Sequence, residues 1–235
     1  MGECFVLVHS PVLGPASWVP AAAALAAAGH QVIVPSLSGF ADGGPPYAPR
    51  LVRRACAQLP DCADDQVVLV VHSGAGELAP YLADAIPARG MTVVFADAGL
   101  PPQSGPATVT DTAFLPALRD LANEGMVPPW PQWWPADVVS ALFPDEQAQR
   151  QVAGEATPLP LAFFAEQLPP LPEGWPSRRC AYLRFSEGYL GPAREARDRG
   201  WPVRELSGEH LHMIVEPAAV ASAIVDLAAE ATVQR

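Results

Sequence analysis

Six short apolar runs set the rhythm of the chain, at 5–9, 31–34, 67–72, 91–96, 180–185 and 203–206. They are nearly continuous in Val, Leu, Ile, Phe and Ala rather than alternating with polar residues, which is the pattern of strands buried on both faces. Between them lie stretches with helical spacing or high alanine content, at 19–28, 51–59, 77–85, 192–199 and 217–232. Gly29 sits where a helix C-cap is expected. Strand and helix therefore alternate, and the pattern predicts an α/β chain with a six-stranded, mostly parallel sheet covered by helices on both faces. Ligands of such sheets bind beyond the carboxyl ends of the strands, where His9, Ser73 and Asp97 all fall. The alternation breaks after the fourth run. Residues 99–178 are rich in proline and tryptophan, with short helical pieces near 112–123, 135–143 and 161–167, and read as a small helical cap. Residues 1–98 and 179–235 then form the core.

Composition narrows the function. A chain of 235 residues is long enough for one domain with a full core. All 14 basic side chains are arginines, so Schiff-base and P-loop lysine chemistry are excluded within this chain. A net charge of −11 argues against nucleic acid or an anionic membrane as partner. Cys4, Cys56, Cys62 and Cys180 show neither CxxC pairing nor metal-ligand spacing and read as reduced thiols. No signal peptide and no membrane-spanning run is visible, so a cytoplasmic location is expected, with no cofactor and no metal. The bias to Ala, Arg and Pro suggests coding rich in G and C, as in an actinobacterium. Gly74-Ala-Gly76 lacks the spacing of a dinucleotide fingerprint.

The chemistry concentrates in Val67-Val-Leu-Val-Val-His-Ser-Gly-Ala-Gly76. A serine at a sharp strand-to-helix turn, flanked by small residues, is the geometry of a nucleophile elbow, although Val71 and Ala75 replace the outer glycines of G-x-S-x-G. Ser73 is the candidate nucleophile and needs a base. His210 and His212 compete for that role. His72 either supports the elbow or lines the pocket, while His9 and His30 read as structural.

Three stretches together resemble the α/β-hydrolase superfamily over nearly the whole chain. They are Phe5-Val-Leu-Val-His9 through Trp18 and Gly29-His-Gln-Val-Ile-Val, the elbow at Ser73, and His210-Leu-His-Met-Ile-Val-Glu-Pro217. The nearest likeness is to the small capped branch that holds plant hydroxynitrile lyases and methyl esterases. The resemblance implies an α/β-hydrolase fold, Ser73 as nucleophile and His210 as base. It also implies a carboxylic ester, thioester or lactone of a small apolar acid as substrate. The acid that completes the triad stays open. The turn after residues 180–185 places Tyr189 at the usual acid position and Glu187 two residues early, Asp97 occupies an alternative position one strand sooner, and a dyad without an acid is the third case. The oxyanion loop departs from the family's His-Gly-x. Here it reads His9-Ser10-Pro11, and Pro11 has no N–H to donate. Gly74 remains a donor, with Ser10 or Val12 as substitutes. A lyase, cyclase or dehydratase that uses Ser73 and His210 for proton transfer is therefore the alternative. Trp130 and Trp134, with the other aromatics of residues 99–178, are expected to roof an apolar pocket.

Overall fold

The computed structural model describes residues 3–233. Its centre is a six-stranded sheet built from β1 (Glu3–Val8), β2 (Gln31–Ile33), β3 (Gln66–Ser73), β4 (Gly90–Ala98), β7 (Arg179–Arg184) and β8 (Val203–Glu205). The strand order is β2-β1-β3-β4-β7-β8, and every neighbouring pair is parallel. Two further strands, β5 (Met126–Val127) and β6 (Leu159–Pro160), form a separate antiparallel pair.

Because side chains alternate along a strand, each run of apolar residues feeds two cores. Cys4, Val6 and Val8 of β1, with Val67, Leu69 and Val71 of β3, face α2 (Ala48–Cys56), α3 (Ala79–Ala85) and α8 (Leu190–Asp198). Phe5, Leu7, Val68 and Val70 face α1 (Val19–Ala27) and the closing helix α10 (Pro217–Val233). Full burial on both faces is why these strands read as solid runs.

Residues 99–178 carry α4 (Leu115–Leu121), α5 (Ala136–Ser140), α6 (Glu146–Ala153) and α7 (Leu161–Phe164) together with the β5–β6 pair. Helix α6 escapes an apolar-periodicity reading because Val152 is its one buried side chain. Its signal is a cap instead: Asp145 accepts a hydrogen bond from the Ala148 N–H at 2.8 Å. Two carboxylates pin this segment to the core. Glu155 accepts from the Ala16 N–H, and Glu166 accepts from the Tyr47 and Ala48 N–H groups at 2.6 and 2.9 Å, at the start of α2. No described helix is long and apolar enough to cross a membrane.

Candidate active site

Ser73 ends β3 with φ at 56°, a left-handed backbone that costs a non-glycine residue about 1–3 kcal/mol. The chain then turns through Ala75 N–H to His72 O and Gly76 N–H to Ser73 O, both 3.0 Å. Gly76 is required here, because a Cβ would lie 2.0 Å from the Gly99 carbonyl oxygen. Helix α3 starts at Ala79 rather than at Glu77, so the serine is followed by a tight turn and only then by helix.

Asp97 is the second strained residue, with φ at 44°. The register between β3 and β4 skips it, His72 pairing with Ala96 and Ser73 with Ala98. That bulge turns its fully buried carboxylate across the strand ends. There it accepts from the Phe185 N–H at 2.8 Å, the Ser186 N–H at 3.1 Å and the Ser186 hydroxyl at 2.5 Å. The fourth donor is His210 Nδ1, 2.9 Å from Asp97 Oδ2. With the proton on Nδ1, Nε2 of the neutral ring is the basic nitrogen.

His72 supports this loop from below. It is fully buried, and its Nε2–H donates to the His210 carbonyl oxygen at 3.0 Å. Its ring lies 4.5 Å from the His210 ring. Burial, and then the neighbouring His210, hold the His72 imidazole well below its ordinary range. His9 is also buried and neutral: Nδ1–H donates to Ser10 O at 2.7 Å and Nε2 accepts from the Leu37 N–H. Burial pushes its pKa down to about 4. His212, the other base candidate, is buried at the start of α9 (His212–Val215) with its ring 5.7 Å from Phe185. His30 packs edge-on against Phe5.

His210 is also stacked on Tyr189, which was expected only at the usual position of an acid. The two rings are parallel to within 4°, with centroids 4.9 Å apart. The Tyr189 hydroxyl lies 3.3 Å from Ser73 Oγ. Its place in the turn after β7 was its one trace in the sequence. Glu187, the competing acid, is exposed on that turn, and the carboxylate bonded to His210 is that of Asp97.

On the β1 side of Ser73, Pro11 Cδ and Ser10 Oγ stand 3.8 and 4.0 Å from the point where a side chain on Gly74 would begin. The proline ring carbon thus stands beside Gly74. Ser10 is buried, and Val12 packs against both cores. Beyond Pro11 a cavity of about 560 Å³ opens between this loop, residues 36–42 and residues 154–159. Trp130 and Trp134 do not roof it. Trp130 is buried with Val139, Phe143 and Val152, and Trp134 is 46% exposed at the surface. Phe40, which lines the cavity, joins an aromatic cluster in which Phe163 touches Phe40, Tyr47 and Phe164, and Trp133 touches Phe114 and Phe164. Among the described residues no cluster of His, Cys, Asp and Glu could hold a metal, and the four cysteines are free.

Compared by sequence with the curated proteins, the chain has no significant match. Its shape has many relatives among solved structures. An extracellular α/β-hydrolase from a Paenibacillus species, described as homologous in structure and function to tobacco salicylic acid binding protein 2, is 20% identical with a TM-score of 0.71, over 96% of this chain and 99% of that one. Tomato methylketone synthase I bound to 2-tridecanone is 19% identical with a TM-score of 0.75, over 98% and 99%. Polyneuridine aldehyde esterase is 21% identical with a TM-score of 0.66, over 97% and 99%. The sequence profile described as the alpha/beta hydrolase family matches residues 5–223, and the chain belongs to that family.

Proposed function

We propose that the protein is a serine-dependent carboxylic ester hydrolase for a small apolar substrate. Ser73 Oγ attacks the carbonyl carbon while its proton passes to His210 Nε2. Asp97 holds the ring in the tautomer that leaves Nε2 basic and stabilises the imidazolium that forms. The Gly74 N–H donates to the developing oxyanion. His210 then protonates the leaving alcohol, and water repeats the sequence on the acyl-enzyme. Residues 99–178 act as the cap. The observation that carries this reading is the 2.9 Å bond from His210 Nδ1 to a buried aspartate beside a serine with a left-handed backbone. Esterase relatives of similar shape support it.

The test is turnover of p-nitrophenyl acetate and butyrate. Ser73→Ala and His210→Ala are expected to lose about 10⁴-fold or more, and Asp97→Asn about 10⁴-fold. Glu187→Gln should match wild type. A wild type no faster than Ser73→Ala would sink the reading.

Pro11 favours a second one, a lyase in which no acyl-enzyme forms and His210 moves the proton. Methylketone synthase I, similar in shape, has been seen with β-ketoheptanoate and with a methyl ketone rather than an ester. Loss of carbon dioxide from a β-keto acid that depends on His210, with no acyl-enzyme formed at Ser73, would select this alternative.

A further inference from the structure

We infer that Tyr189 is a catalytic hydrogen-bond donor to Ser73 Oγ, and that it acts chiefly when this oxygen leaves the acyl-enzyme. The inference rests on the hydrolase reading and deepens it. Two contacts fix the side chain: the parallel stack on His210 at 4.9 Å and the 3.3 Å approach of its hydroxyl to Ser73 Oγ. A phenol is a stronger acid than an aliphatic alcohol, so the proton in this pair is donated by Tyr189. That leaves the Ser73 proton available to a base. Burial raises the phenol's pKa further, with the Ser73 contact opposing it in part, so the donor keeps its proton through the working range.

The donor matters most in deacylation. His210 takes a proton from water, whose oxygen bonds to the acyl carbon. The tetrahedral intermediate collapses, the bond from carbon to Ser73 Oγ breaks, and its electron pair stays on Oγ. That oxygen takes the proton from His210. Throughout, the Tyr189 O–H supports the charge that grows on Oγ and gives up no proton itself. The donor also stands on the β4–β7 side of Ser73, across from the loop where Pro11 withholds one.

Tyr189→Phe keeps the ring on His210 and removes only the hydroxyl. In rapid mixing with p-nitrophenyl acetate, first-turnover release should stay within about threefold of wild type. Deacylation should slow about 10- to 100-fold, so that a burst near one equivalent per Ser73 appears. A Tyr189→Phe enzyme within twofold of wild type in both steps overturns the inference, as does equal slowing of the two steps. If wild type forms no acyl-enzyme while remaining folded, the hydrolase reading and this inference fall together. If wild type acylates and only Tyr189→Phe behaves normally, the inference alone fails.

Discussion

On the proposed reading, Pro11 sets how much transition-state stabilisation the site has to spare. A missing oxyanion donor costs about 100- to 1000-fold in rate. The proline presents Cδ to Gly74 in place of an N–H. Pro11→Ala restores the donor without enlarging the side chain, and should raise kcat toward p-nitrophenyl esters about 10- to 100-fold with KM little changed. A kcat that does not move would mean that the oxyanion is held by other groups. At this scale the sequence was informative wherever a residue type has few alternative uses. Ser73 between small residues, the His210 turn and Pro11 could be named as candidates, and Asp97 was a contender beside Glu187. What chose Asp97 was a one-residue skip in the β3–β4 register, which leaves no mark in composition or periodicity. Tyr189 was placed at the usual acid position, but its stack on His210 was not legible, because it joins residues 21 apart through the sheet's geometry.

Among the elements, the six strands and the five core helices follow from apolar patterning within a few residues. In the segment between β4 and β7 the expected pieces near 112–123, 135–143 and 161–167 match α4, α5 and α7, whereas α6 and the β5–β6 pair escape that reading. Helix α6 is polar on most faces, and the β5–β6 pair joins residues 126–127 to 159–160, too short and too far apart for a local signal. Its attachment is equally non-local. The Glu166 carboxylate closes the start of α2 by accepting two backbone N–H groups, a charge-assisted cap. Glu166→Ala should cost about 1–2 kcal/mol of stability. It should also loosen residues 99–178 before the core, seen as faster cleavage there in limited proteolysis. Cleavage that begins elsewhere at the old rate would show that the aromatic cluster around Phe163 suffices.

For the whole molecule, buried titratable groups narrow the pH range of stability from both sides. His9 stays neutral in the fold down to about pH 4, whereas the unfolded chain protonates it near its ordinary 6.5. Stability present above pH 6.5 is thus lost as the pH falls toward 4, by about 3 kcal/mol from this residue. His72 acts in the same direction. Glu77 acts in the opposite one. Its Oε2 is buried without a partner, and burial, with its own backbone hydrogen bond opposing and Asp111 adding, raises its pKa to about 8. Stability from this group is complete below the ordinary 4.5 and is lost as the pH rises through 8. Glu77→Gln should therefore melt above wild type, by a margin that widens between pH 5 and 8 to a few kcal/mol. A constant margin across that range would exclude titration of Glu77 as its source.

The bulge that turns Asp97 inward has one more consequence, and it concerns how freely this scaffold can change. Because the histidine is anchored from the end of β4, the turn after β7 is released from supplying an acid. The usual acid position is thereby free to hold another residue type, and Tyr189 is what occupies it. On the proposed reading, variation there would act on Ser73 while the bond from His210 to Asp97 stays intact. For anyone seeking new activities, residues 186–189 are thus the place to randomise first, with Ser186 kept for its bonds to Asp97.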